Sequence, residues 1–217
     1  MFTYGGPTRP CRGLDRGTLY GSLGTGAHLL PFHHPIELAA RVAYLDHLAQ
    51  GRYMFGIGSG GLQSDHELFG VDMENGEHRE RTRESLDIIL NQWKHVDGPF
   101  TYKGKFWDIN IPDPKDYAFA DLRHHITPFQ KPHPPIGVAG GSPGSETLKI
   151  VGERGYIPMS LGLNAVYVAN HWDVVTKGAE SAGRQPPSRS EWRIVRDIWV
   201  ADSDEEAREG AMNGMLG

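Results

Sequence analysis

Residues 51–70 read GRYMFGIGSGGLQSDHELFG. Gly56, Gly58 and Gly61 satisfy G-x-G-x-x-G behind a strand-like run, and the meaning of those glycines decides the fold. A dinucleotide turn needs its glycines to open a helix directly, with an acidic residue about 20 positions on to hold the ribose. Here LQSDHELFGVDMENGEH follows Gly61 and carries no helical apolar stripe. The spacing of Leu86, Ile89, Leu90 and Trp93 predicts the next helix only from about Glu80 to His95. The glycines therefore belong to a loop of another kind.

On the N-terminal side, LYGSLGTGAHLL reads as a strand. Pro35 then takes the first position of a helix whose apolar face is Leu38, Val42, Leu45 and Leu48. On the C-terminal side, FTYKGKFWDI alternates aromatics around Lys103-Gly104 and predicts a hairpin. The Pro-rich ITPFQKPHPP leads to a short strand, PIGVAG. SPGSETLKIVGERGY predicts a helix with Ser142 and Pro143 as cap and first turn and Gly155 as its stop. A strand in YIPMSLGL, a helix marked by Val168, Trp172 and Val175, and a strand in WRIVRDIWVA follow. Ser203 with Glu206 forms a capping box for a terminal helix. Strand and helix alternate five times, which argues for an α/β fold with parallel strands. Residues 1–20 read as an irregular segment and 21–217 as one domain.

The 217 residues are 38% hydrophobic and 23% charged, with a formal charge of −5, ordinary for a globular protein and unsuited to nucleic acid or anionic membrane. Cys11 is the single cysteine, so no internal disulfide can form, and the expected compartment is the cytoplasm. No apolar run reaches membrane length. Among eleven histidines, the pairs His33-His34 and His124-His125, with His133, lack the i, i+4 spacing of a helical metal motif, so no metal is expected.

The block GTGAHLLPFHHPIELAARVAYLDHLAQGRYMFGIGSGGLQSDHELFGVDM resembles the bacterial luciferase-like, flavin-dependent monooxygenases, those of the limonene 1,2-monooxygenase type in particular. The resemblance rests on a strand ending in Gly-Thr, a His-Pro entering a helix, LDHL-x-x-GR, FGIG, and FG-x-D-M closing the loop, and it runs from about Gly24 to Ala211. It implies a (β/α)8 TIM barrel with its active site at the C-terminal strand ends. About five of the eight β/α units are matched, the third to the seventh strand, so a partial barrel truncated at both ends is expected.

The resemblance also implies site residues. Thr25, Gly26 and Ala27 match the strand that passes beneath the flavin, with a non-proline cis bond expected at Gly26–Ala27. Gly58 stands where luciferase has a reactive cysteine, which excludes thiol chemistry; glycines there let a flat ring approach the backbone, or merely permit positive φ. Asp65 can bond the polar edge of the ring, or face solvent as an ordinary loop aspartate. Gly140, Gly141, Ser142 and Ser145 form the turn expected at the flavin phosphate, where helix capping explains the same serines. Ser59 and Ser160 are pocket-lining candidates, Phe32, Phe69 and Met73 line the substrate pocket or are ordinary core, and Arg81 or Arg83 reaches the site if the loop folds over, against the plainer reading of solvated helix residues. His28 is the titratable candidate for catalysis, against the plainer reading of a neutral pocket histidine.

The family's second-strand Glu-His-His motif has no counterpart before Gly24. Two readings remain. One is a monooxygenase, or a piece of one with reduced or no activity, using FMN reduced by a separate flavin reductase, with O2 and an apolar organic substrate. The other is a non-catalytic flavin-binding remnant stabilised as a homo-oligomer. F420-dependent hydride transfer is the nearest chemical alternative.

Overall fold

The computed structural model describes residues 21–94, 99–113, 126–162, 164–196 and 198–215. The irregular reading of 1–20 and the pair His124-His125 lie outside them. The chain runs β1 (Leu23–Gly24), β2 (His28–Leu29), α1 (Pro35–Leu48), β3 (Tyr53–Gly58), α2 (Gln63–Phe69), α3 (Glu77–Lys94), β4 (Phe100–Lys103), β5 (Asp108–Ile111), β6 (Ile136–Gly140), α4 (Lys149–Arg154), β7 (Ile157–Leu161), α5 (Ala165–Ser181), β8 (Arg193–Val195) and α6 (Asp204–Met215). The main sheet is parallel in the order β1-β3-β6-β7-β8, with β2 also beside β3. Five strand positions, each followed by helix, make a partial barrel. No described helix is long and apolar enough to cross a membrane.

The strand expected over LYGSLGTGAHLL is split by Thr25-Gly26-Ala27, and the Gly26–Ala27 bond is cis. Pro35 does open α1. The hairpin pairs Phe100 with Ile111 and Lys103 with Asp108. Its turn is anchored from outside: the Glu84 carboxylate accepts the backbone N–H groups of Lys105, Phe106 and Trp107 at 2.9–3.2 Å. Glu206 N–H donates to Ser203 Oγ at 3.2 Å, the expected cap of α6.

Three expectations are corrected. The stretch after Gly61 contains a helix, α2, which buries only His66 and therefore shows no apolar stripe; Gly70 in the left-handed region ends it. Helix α3 begins at Glu77, three residues before the first residue expected. Ser142 and Pro143 do not open the next helix; a 3-10 turn, Glu146–Leu148, starts after Ser145 and leads into α4.

Alternation along the strands sorts side chains into two sets. Tyr53, Phe55, Ile57, Ile136 and Val138 join Leu38, Val42, Leu86 and Ile89 in the helix-facing core. Met54, Gly56, Gly58, Gly137, Ala139 and Met159 take the inner face of the sheet.

Candidate flavin site

The inner face is built low. A Cβ at Gly56 would stand 1.6 Å from the Thr25 carbonyl oxygen, so the backbone beside the cis bond fills that space. Met159 fills the space over Gly137, within 2.8 Å of where a Cβ would stand. One level up, at the strand ends, the nearest neighbours of a Cβ at Gly58 would be Leu29, Ala27 and Ala139 at 3.3–3.8 Å. Gly56 is thus a structural necessity, whereas Gly58 belongs to a floor of backbone and methyl groups.

Thr25 is held by a one-way chain of hydrogen bonds. Its hydroxyl accepts from Gly56 N–H at 3.0 Å and donates to Gly56 C=O at 3.2 Å. Tyr53 O–H donates to the same oxygen at 3.3 Å, so the His28 Nε2 bond at 3.1 Å puts the proton on that nitrogen and the Tyr53 oxygen in the acceptor role. His28 pairs in register with Ile57, which places its side chain on the helix-facing side rather than over the floor.

Burial, with the neighbouring His33 and Arg41, lowers the His28 pKa to about 4. Burial also lowers His33 and His78, the second with help from Arg79. The unfolded chain takes these protons near pH 6.5 and the folded chain resists them, so stability is complete above that pH and falls as pH drops toward 4. For His28, half-buried and partly screened by solvent, we expect about 1–2 kcal/mol lost between pH 7 and 4. Urea midpoints across that range should decline less steeply for His28→Asn than for the parent; equal slopes would contradict the assignment.

Beside the floor lies a groove of about 300 Å³ lined by Arg79, Arg83, Glu146, Thr147 and Ile150. Ser59 Oγ and Thr147 Oγ1, 2.9 Å apart, join floor and groove. Arg83 is committed to Glu153 at 2.6 Å. Arg81 pairs with Glu77 at 3.5 Å and lies over Trp107 at 5.2 Å, away from the groove. Arg79 has no ion pair among the described residues and is the groove's available cation. Sequence reasoning missed Arg79 and Thr147.

The turn 141–145 adjoins the groove. Ser145 is buried, and a Cβ at Gly140 would stand 2.6 Å from its hydroxyl; Gly141 and Ser142 are exposed. Asp65 stands half-buried in the first turn of α2, with no side-chain hydrogen bond among the described residues. Phe32 and Phe69 stack with centroids 4.9 Å apart, Phe69 half-exposed, and Met73 is half-buried nearby in sequence. Ser160, expected to line the pocket, faces the helices instead, fully buried against His171 and Trp192. Among the described residues no three histidine, cysteine or acidic side chains stand together as a metal site.

The sequence and fold have known counterparts. The family described as luciferase-like monooxygenase matches residues 22–217. The 3,6-diketocamphane 1,6-monooxygenase of Pseudomonas putida is 33% identical over 207 residues, covering 88% of this chain and 53% of that protein. Limonene 1,2-monooxygenase of Rhodococcus erythropolis is 29% identical over 198 residues, covering 89% and 46%. Among solved structures, the oxygenating constituent of 3,6-diketocamphane monooxygenase from Pseudomonas putida, a type II Baeyer–Villiger monooxygenase in complex with FMN, superposes with a TM-score of 0.74 at 30% identity, covering 88% of this chain and 52% of that one. The chain spans about half the length of these relatives. With the family match running over nearly all of it, the chain belongs to the luciferase-like monooxygenases.

Proposed function

We propose that this chain forms the flavin-holding part of a monooxygenase in which reduced FMN and O2 oxygenate an apolar organic substrate. The observation that carries the reading is the junction of two unlike surfaces. A floor of backbone and methyls at Ala27, Gly58 and Ala139 meets, through Ser59 and Thr147, a groove whose available cation is Arg79. A flat apolar ring with a phosphate tail divides its chemistry in the same way, so the residues present fit the group.

Bound reduced flavin supplies the electrons that activate O2 for transfer of one oxygen atom. The chain's own residues bind and orient. Thr25, Gly26 and Ala27 set the height of the floor, and Gly58 keeps it free of side chains. Asp65 accepts from the polar edge of the ring. Gly141 lets the backbone approach the phosphate, and the hydroxyls of Ser142 and Thr147 donate toward it, while Gly140 leaves room for Ser145 and Leu148, which support the turn from behind. The helix after this turn is too short to add much dipole, so the charge falls to Arg79. Phe32, Phe69 and Met73 exclude water and contact the substrate. We assign His28 a positioning role, through Tyr53 and Thr25, in place of proton transfer. Oxygenation is proposed for the complete barrel, in the cytoplasm, with a separate flavin reductase; the name "oxygenating constituent" of the camphane relative supports that division of labour.

The test compares reduced FMN with reduced riboflavin, which lacks the phosphate. Arg79→Ala should weaken FMN by about 10–100-fold, the loss of a charge-assisted contact, and leave riboflavin unchanged. Glu146→Gln, which removes a negative charge from the groove, should tighten FMN a few-fold. Equal losses of both flavins in Arg79→Ala would contradict the placement of the phosphate.

A further inference from the structure

Behind the turn 141–145 runs a second chain of hydrogen bonds, whose donor and acceptor roles are fixed when its imidazole is neutral. Trp192, next to β8, donates its indole N–H to Ser160 Oγ at 2.8 Å. Ser160 Oγ lies 3.0 Å from His171 Nδ1, and His171 Nε2 lies 2.8 Å from the Ser142 carbonyl oxygen. A carbonyl only accepts, so Nε2 carries the hydrogen. The neutral ring then offers Nδ1 as acceptor, and the Ser160 hydroxyl, already accepting from Trp192, gives its hydrogen there. Ser160 and His171 are fully buried, so a missing partner anywhere along the chain would leave a buried polar group unpaired.

The chain ends on a carbonyl that matters. Ser142 C=O also accepts from Ser145 N–H at 3.2 Å, so both of its lone pairs are engaged by the protein. A carbonyl oxygen released from these bonds is free to turn outward, where its partial negative charge would repel an anion. Pro143 fixes φ on the far side of this carbonyl, so the oxygen turns outward only with the segment as a whole, about Gly141 and the left-handed Gly144 that flank it, and residues 141–143 are exposed on the surface where that movement would occur.

We propose that His171 is a positioning residue for the phosphate end of the flavin: through Ser142 it holds the turn in its anion-accepting form, and through Ser160 and Trp192 it ties that form to the β8 side of the sheet. The inference rests on the flavin reading above. It makes α5 and β8 contributors to cofactor affinity without contact with the cofactor. It also gives a role to two residues, His171 and Trp192, that no sequence motif singles out.

The experiment measures anaerobic binding of reduced FMN and of reduced riboflavin to the full chain and to three variants. His171→Leu removes the donor to Ser142 and should weaken FMN about tenfold while riboflavin binding is unchanged. His171→Gln, whose amide N–H can replace Nε2, should recover most of the FMN affinity. Ser160→Ala frees the His171 tautomer and should give an intermediate, few-fold loss confined to FMN; it also serves if His171→Leu does not fold. Amide hydrogen exchange of the turn, without flavin, should quicken in Ser160→Ala relative to the parent. If the parent prefers FMN but the variants keep the parent ratio of the two affinities, His171 is merely structural and the inference is overturned. If the parent shows no preference for FMN, the phosphate reading itself falls and takes the inference with it.

Discussion

Gly56→Ala is expected to yield no stably folded protein at 25 °C. The added methyl would stand 1.6 Å from the Thr25 carbonyl oxygen and 2.8 Å from its carbonyl carbon. Both belong to backbone that is itself pinned, by Thr25 N–H to Met54 C=O at 3.3 Å and by the two bonds between Thr25 and Gly56. No rotamer change relieves such an overlap, so β1 and β2 must leave β3. We expect a loss above about 4 kcal/mol, a large part of the 5–15 kcal/mol that holds a typical domain. Gly58→Ala, two residues on, is the control. Its methyl meets neighbours at 3.3–3.8 Å, so the melting temperature should stay near the parent's while flavin binding weakens. Thermal melts of the two variants separate the roles; a normally folded Gly56→Ala would contradict the account of the split strand.

The second large effect is expected where α4 and α5 touch. A Cβ at Gly152 would lie 2.0 Å from Val175 C=O and 2.4 Å from Ala179 N, and one at Gly178 would lie 2.3 Å from Lys149 C=O. The two helices meet backbone to backbone. Helix propensity alone favours Ala over Gly by about 1 kcal/mol, so an exposed Gly→Ala in these helices would stabilise. Here overlap with backbone outweighs that gain, and either Gly152→Ala or Gly178→Ala should destabilise by about 3 kcal/mol. Denaturant midpoints read the sign directly: a gain in stability would show that the helices can separate at little cost.

Much of the fold was legible because its signals are local. Strand-like runs bounded by glycine or proline, and apolar stripes such as Leu38–Val42–Leu45, depend on residues within a turn or two of each other. The resemblance to luciferase-like proteins added the cis bond at Gly26–Ala27, which no propensity indicates. Helix α2 escaped because Leu68 and Phe69 face solvent, so its pattern lacks the apolar stripe a packed helix carries; Gly70 as a left-handed stop was the signal available.

The site was less legible, for reasons of distance. Gly56 and Gly58 look alike in sequence, and only the Thr25 carbonyl, 31 residues away along the chain, distinguishes them. Arg79, Arg81 and Arg83 sit on one basic stretch. Successive residues of a helix turn by about 100°, so the side that meets the groove depends on how α3 packs. With the start of that helix misjudged by three residues, Arg79 fell outside it. His171 is buried for its bonds to Ser160 and Ser142, both distant in sequence, and reads as one more residue of an apolar helix face.

The central claim is that the floor at Gly58 and the groove at Arg79 together hold a phosphorylated flavin. Anaerobic titration of the chain with reduced FMN and with reduced riboflavin, followed by protein fluorescence, tests it most directly. Saturable binding of both, with FMN tighter by at least about tenfold, is the predicted result. Absence of binding by a folded chain, or equal affinity for the two flavins, would contradict it.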